Sequence, residues 1–189
     1  MKDQSILWRR IDTAGHEAAR IYSDDDGWYL DGSAIFLHED SPCRLEYLIE
    51  CDTEWRTTAA TIDGWVGDEV IAREILVSED GVWYLDEDEI KAVEGCVDID
   101  LNFSPITNLL PLRRLDLKIG ESKSVGAAWL RFPSFELERL DQTYTRLDES
   151  TIRYESRDGE FVRELKVNDD GLVLDYPDYW LAEHRSNSR

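Results

Sequence analysis

The chain has 189 residues, about the length of one domain, and 42% of them are hydrophobic, which is enough for a buried core and argues against disorder. Its 42 acidic and 21 basic residues leave a net charge of −21, which argues against nucleic acid and anionic membrane surfaces as partners. Residues 1–100 carry a net charge of −18 and residues 101–189 only −3, so an anion-tolerant surface is expected in the second half. The excess of Arg over Lys on an acidic chain fits a high-salt habitat as well as a functional acidic patch, and both stay open.

In chain order, the pattern predicts strands joined by tight turns. Polar and apolar residues alternate over 43–51 and 96–103, which is typical of half-buried strands. Short helices are predicted near Asp86–Val93 and Thr107–Leu115, where Pro111 would shorten or kink the second. Asp-Gly steps, which favour hairpin turns, occur five times: at 26–27, 63–64, 80–81, 158–159 and 170–171.

These elements predict an all-β fold, a single antiparallel meander that forms a barrel or half-barrel with one or two short helices. A weak repeat, residues 23–31 against 78–86, supports a duplicated meander. We expect one domain over 1–189, with the barrel over about 7–183 and a disordered tail over 184–189. The segment 124–133 is apolar on both faces, which indicates either a covering layer or a ligand cavity.

The N-terminus has no signal-peptide pattern, and no segment approaches the length of a membrane span, so a soluble cytoplasmic protein is predicted. Cys43, Cys51 and Cys96 have no metal-binding spacing and are predicted to be reduced thiols in the core. We predict no metal and no cofactor. The sequence 16–20, HEAAR, lacks the second His of a zinc-binding motif, because Arg20 stands in its place.

One carboxylate pair keeps a hydrolase under consideration. Asp98 and Asp100 project from the same face of a predicted strand, roughly 7 Å apart for a rise near 3.3 Å per residue. That separation suits an inverting glycosidase, although a solvated strand face explains the pair as well.

Two arginines interrupt apolar strand faces. Arg73 lies between Ile71 and Ile75, and Arg163 lies between Phe161 and Leu165. Either the two side chains protect edge strands from pairing with other chains, or they lie inside a barrel and bind the polar head of a ligand.

Residues 95–115, GCVDIDLNFSPITNLLPLRRL, together with 47–57, 127–133 and 171–177, resemble the bacterial family called putative glycolipid-binding. The matches span about Trp8 to Trp180 in order; Asn102 and Ser104 stand where the family pattern has Gly and Thr. The resemblance implies a half-open antiparallel barrel, similar in architecture to periplasmic lipoprotein carriers. The lipid-attachment Cys of such carriers is not found here.

Within the matched segments, we expect polar side chains to bind a sugar or an anionic head group and tryptophans to stack on a ring or line an acyl channel. The expected polar residues are Asp98, Asp100, Asn108, Arg113 and Arg114, and the expected tryptophans are Trp55 and Trp129. Alternatively, Asp100 and Arg113 form a structural ion pair.

Three functions follow. The first is a binding protein for a small amphiphilic ligand, such as a glycolipid or lipid intermediate, with a continuous apolar cavity. The second is a carbohydrate-active or ester hydrolase that uses the carboxylate pair. The third is a non-enzymatic interaction module, as a homodimer, with a filled interior. The resemblance favours the first, a binding protein rather than an enzyme.

Overall fold

A computed structural model describes residues 3–187, with side chains described as far as residue 185. The strands are β1 (Gln4–Arg10), β2 (Gly15–Ser23), β3 (Trp28–His38), β4 (Ser41–Cys51), β5 (Thr57–Val66), β6 (Glu69–Val77), β7 (Trp83–Leu85), β8 (Asp88–Glu89), β9 (Asp98–Leu101), β10 (Ser122–Arg131), β11 (Glu136–Arg146), β12 (Thr151–Ser156), β13 (Phe161–Val167), β14 (Val173–Tyr176) and β15 (Trp180–Asn187). One α-helix, α1 (Leu109–Leu115), and three 3-10 helices, Lys91–Val93, Ile106–Asn108 and Arg157–Gly159, complete the described part.

All fifteen strands belong to one sheet. Its order is β8-β7-β6-β5-β4-β3-β2-β1-β15-β14-β13-β12-β11-β10-β9, and every neighbouring pair is antiparallel except β9 and β10. Two meanders therefore meet in the middle of the sheet, where β1 pairs with both β2 and β15. The predicted all-β, antiparallel fold is confirmed.

Four of the five Asp-Gly steps lie in connections between strands, as predicted. The fifth prediction is wrong, because Asp63-Gly64 lies inside β5. A Cβ atom at Gly64 would stand 2.0 Å from the Arg44 carbonyl oxygen, so glycine is required there for the close approach of β4 rather than for a turn.

Only one of the two predicted helical segments is helical over its length: the 3-10 helix Ile106–Asn108 runs directly into α1 and covers the predicted 107–115. The segment predicted as helical near 86–93 contains β8 and only a three-residue 3-10 helix. In α1, Pro111 lies in the first turn. Backbone N–H groups in the first turn have no partner within the helix, so proline costs no hydrogen bond there.

The chain after β8 folds back onto the concave side of the sheet. The Thr57 N–H at the start of β5 donates to the Val97 carbonyl at 3.2 Å, and its Oγ1 accepts the Ile99 N–H at 3.1 Å. The Trp83 indole Nε1 donates to the Cys96 carbonyl at 3.0 Å. These bonds link β9, the last strand of the sheet, to β5 and β7 and close the half-barrel.

The same segment fills the hollow. Its buried apolar side chains join the main core with those of the strands: Ile99, Leu101, Phe103, Ile106, Leu109 and Leu110. The expected continuous apolar cavity is therefore occupied by the chain itself. Of the segment predicted as apolar on both faces, Ala128 and Leu130 lie in this core.

The three cysteines, Cys43, Cys51 and Cys96, are buried free thiols. None of the helices in residues 3–187 is long and apolar enough to cross a membrane. Residues 184–187, expected in a disordered tail, belong to β15 because they pair with β1; 188–189 lie outside the described residues.

Candidate functional site

A pocket of about 180 Å³ lies where the segment after β9 meets β10, β12 and the end of β14. Aromatic side chains form much of its wall: Trp129, Tyr154, Phe161, Tyr176, Tyr179 and Trp180. The polar lining consists of Asp100, Asn102, Ser104, Asn108, Ser156 and Arg157. Asp100, Asn108 and Trp129 are thus brought together as predicted site residues.

The parallel pairing of β9 with β10 places Asp100 opposite Trp129, 29 positions later in the chain. Strand alternation then decides which side chains share a face. Without this pairing, neither residue has a neighbour in sequence that would mark it as part of a pocket.

A network of hydrogen bonds holds Asp100 at the floor of the pocket. The Gln142 amide Nε2 donates to Asp100 Oδ2 at 2.6 Å and lies 3.1 Å from the Tyr154 hydroxyl. Burial raises the pKa of Asp100 to about 6, although the bond from Gln142 lowers it. The second oxygen, Oδ1, has no hydrogen-bond partner among the described residues, which leaves it available to a ligand.

Asn108 is fixed in the same network. Its Nδ2 donates to the Pro105 carbonyl at 3.1 Å. The Tyr144 hydroxyl lies 3.3 Å from Asn108 Oδ1 and 3.2 Å from Gln142 Oε1, so the two amides share it. The floor is therefore preorganised, with its polar side chains held in one arrangement.

Sequence reasoning missed a second polar cluster, behind Ser104. The Ser104 and Tyr47 hydroxyls each donate to Glu17 Oε1 at 2.5 Å. Glu17 is fully buried, and burial raises its pKa to about 7, against the lowering effects of Ser104, Tyr47 and Arg10. Its Oε2 has no partner among the described residues.

The signal for this cluster was present in the alternation of β2. Glu17 alternates with Ala19 and Ile21 on the inward face of β2, and this alternation places a carboxylate among buried apolar side chains. The incomplete zinc motif at 16–20 carries no information about this burial.

Asp98 does not face the pocket. Arg114 donates two hydrogen bonds to its carboxylate, from Nε to Oδ1 at 3.0 Å and from Nη2 to Oδ2 at 2.5 Å. Burial raises the pKa of Asp98, whereas Arg114 lowers it. The pair joins the end of α1 to β9, so the structural ion pair of this region is Asp98–Arg114 rather than Asp100–Arg113.

Arg113 and Trp55 lie together, outside the lining of the pocket. The Arg113 guanidinium lies 5.4 Å from the centroid of the Trp55 ring, which stacks on Trp28 at 4.3 Å. Trp55 is buried in the main core, and its role in the fold is packing.

The two inward arginines differ in place. Arg73 on β6 forms an ion pair with Asp86 at 3.4 Å and does not line the pocket. Arg163 on β13 lies 4.7 Å from the ring centroid of Phe161, and Phe161 lines the pocket. Neither β6 nor β13 is an outer strand of the sheet. However, β7 pairs with β6 only over residues 75–77 and β14 pairs with β13 only over residues 166–167, so both arginines lie where their strand is paired on one side only. The edge-protection interpretation therefore stays a prediction.

A larger groove of about 690 Å³ lies on the outer face of β1 to β5. It is open to solvent, and its Arg20 guanidinium is already paired with Asp31 at 2.6 Å. The smaller pocket has the fixed polar floor and aromatic walls that orient a ligand, and we take it as the candidate site. In the described residues, no group of His, Cys, Asp and Glu is placed to hold a metal ion.

Fold and pocket together define a half-barrel protein with a small polar site under aromatic rings. The chain belongs to the family described as "Putative glycolipid-binding", whose family model matches residues 5–182. No curated protein matches the chain.

The chain is also similar to solved structures. A DUF1089 family protein from Pseudomonas aeruginosa has a TM-score of 0.77 and 31% identity, over 87% of this chain and 91% of that one. A β-barrel-like protein of the domain family DUF1849 from Brucella abortus has a TM-score of 0.60 and 9% identity, over 99% and 98% of the two chains, and shows the shared fold alone.

Proposed function

We propose that the protein binds a glycolipid through its sugar head group, in the pocket floored by Asp100 and Asn108. The arrangement of the pocket carries this proposal. Aromatic rings pack against the apolar faces of a sugar, and fixed carboxylate and amide groups bond its hydroxyls. Asp100 Oδ1 provides an acceptor at the floor, and Trp129 lines the pocket beside it on the paired strand.

Size supports a head group rather than a whole lipid. Pockets for drug-sized ligands measure about 300–1,000 Å³. The pocket of 180 Å³ is smaller, and the hollow beside it is filled by Leu101, Phe103 and the rest of the core. The acyl chains of the ligand therefore remain outside the pocket.

Calorimetric titration with methyl and octyl glycosides of glucose, galactose and mannose tests the proposal, with octanoate as a sugar-free amphiphile. We expect at least one methyl glycoside to bind within a few-fold of its octyl counterpart, and octanoate not to compete. Binding of octanoate and of octyl glycosides only would show that the acyl chain is recognised instead. Release of free sugar during the titration would favour the hydrolase.

The matched variants are Trp129→Ala and Trp65→Ala. Loss of the Trp129 wall is expected to weaken binding about tenfold, equivalent to about 1.4 kcal/mol. Trp65 is half-buried on β5 and does not line the pocket, so its removal leaves the affinity unchanged. Equal affinities in both variants would place the site elsewhere.

A further inference from the structure

Arginines gather on the aromatic rings of the pocket. Arg131 and Arg157 both lie over Trp129, at 5.7 and 5.8 Å from its ring centroid. Arg163 lies 5.7 Å from Tyr179, and Arg10 lies 5.2 Å from Trp180. Four guanidinium groups therefore lie around one pocket in a chain with a net charge of −21.

Only one of the four lacks a carboxylate partner among the described residues. The partners of the other three are Asp12 for Arg10 at 2.8 Å, Glu138 for Arg131 at 3.2 Å and Asp178 for Arg163 at 3.1 Å. Arg157 has the ring of Trp129 and no acid, and its side chain is exposed at the mouth of the pocket. Its charge is therefore free to pair with a ligand.

Arg157 lies close to the other polar groups of the pocket. Burial and the Asp100 carboxylate raise the pKa of the Tyr154 hydroxyl, whereas Ser156, Gln142 and, least of these, Arg157 lower it. The turn that carries Arg157 has two consecutive non-glycine residues in the left-handed region, Arg157 with φ 53° and Asp158 with φ 55°. This turn lies between β12 and β13, which also supply the lining residues Tyr154 and Phe161.

Asp100 and Arg157 are the two charged side chains in the lining formed by residues 3–187. Asp100 is held at the floor by Gln142, whereas Arg157 is at the mouth. An anion at the floor would be repelled by Asp100, and an anion at the mouth meets Arg157. A sugar that spans the pocket matches this separation of charge, with hydroxyls at one end and an anionic group at the other.

We infer that the head group carries an anionic substituent, a phosphate or a carboxylate, which Arg157 binds at the mouth of the pocket while hydroxyls of the same sugar bond to Asp100 at its floor. This inference deepens the proposed function and rests on it. Three sets of ligands test the inference separately from the proposed function: neutral hexoses, their anionic derivatives, and inorganic phosphate alone.

The experiment is calorimetric titration of the full chain at low salt. The probes are glucose, galactose and mannose, their 6-phosphates, glucuronic and galacturonic acids, and inorganic phosphate alone. We expect an anionic sugar to bind about 10- to 100-fold more tightly than its neutral parent, the range for a hydrogen bond to a charged group. In Arg157→Gln, the two forms are expected to bind equally.

Arg44→Gln is the matched control, because it removes the same charge from an exposed residue on the outer face of β4. It is expected to keep the preference for the anionic sugar. A similar loss in both variants would mean that only the overall field matters, and would overturn the role of Arg157.

The other outcomes are also decisive. A neutral sugar that binds as tightly as its phosphate would overturn the inference and leave the proposed function standing. Inorganic phosphate that binds as tightly as the sugar phosphate would overturn it as well, because the sugar would then add nothing. Absence of binding by every sugar, with alkyl glycosides also inactive, would remove both proposals together.

Discussion

At the scale of single residues, the buried carboxylate of Glu17 is the acceptor at the centre of a hydrogen-bonded cluster. Two hydroxyls, Tyr47 and Ser104, donate to one of its oxygens, while the other oxygen has no partner among the described residues. Gly32 makes this arrangement possible, because a Cβ atom there would stand 2.2 Å from the Tyr47 hydroxyl. The cluster ties β2 and β4 to the segment that lines the pocket.

Glu17 predicts a loss of stability with rising pH. Its pKa is about 7 in the folded chain, against an ordinary value of 4.5. Between these values the folded state holds a proton that the unfolded state has lost, so the free energy of unfolding falls as pH rises, by about 3 kcal/mol in total. Urea unfolding of Glu17→Gln at pH 5 to 8 should show a shallower fall.

Asp100, whose pKa is about 6, adds a similar slope at lower pH and is unchanged in that variant. The control is Glu136→Gln, an exposed residue on β11, which should keep the full slope. If Glu17→Gln and Glu136→Gln lose stability with pH in parallel, the proton is not held by Glu17.

At the scale of elements, the pairing of Arg114 with Asp98 fixes α1 against β9. Arg114→Met leaves a carboxylate buried without its cation, which typically costs about 3–5 kcal/mol. The double variant Asp98→Val/Arg114→Met removes both charges and should recover much of that loss, because neither partner then remains unpaired. Urea unfolding curves at pH 7 measure both.

The matched control is Arg153→Met, which breaks the more exposed pair with Glu155 on β12. Such surface pairs contribute about 0–1 kcal/mol, so a small effect is expected. Equal losses in the free energy of unfolding for Arg114→Met and Arg153→Met would show that the buried ion pair stabilises the fold no more than the exposed one does.

At the scale of the whole molecule, Thr57 joins two distant parts of the sheet. Its side chain accepts the Ile99 N–H, and its own N–H donates to Val97. Thr57→Val keeps the shape but leaves the buried Ile99 N–H without a partner, at a cost of about 1–3 kcal/mol. Hydrogen exchange should then be faster at Ile99 and along β9 than elsewhere.

Thr58→Val is its neighbour and control, since Thr58 is exposed on the other face of β5. It should leave both the stability and the exchange of β9 unchanged. Uniformly faster exchange in Thr57→Val, with no excess at β9, would mean that the half-barrel is not held closed at this point.

The strands and the family were readable from the sequence because their signals are local. Alternation over 43–51 and 96–103 is a local pattern typical of a strand, and each of those segments contains one. In the second segment the polar face is covered as well, because Asp98 is buried together with Ile99 and Leu101. The prediction of a turn at Asp63-Gly64 was wrong because the sequence alone does not distinguish a glycine in a turn from a glycine that allows a neighbouring strand to approach closely.

Local pattern by itself predicted the all-β meander and the buried free cysteines, and the family resemblance singled out Asp100, Asn108 and Trp129 as residues to examine. The tertiary structure decided which of these share a pocket, that Asp98 belongs to Arg114, and that Ser104 bonds to Glu17, 87 positions away. It also decided that the hollow is filled by the chain's own residues 99–110. The physical reason is that the burial of one strand face depends on the pattern of neighbouring residues in the sequence. A hydrogen-bond partner depends instead on the register of the sheet and on the position of a distant segment.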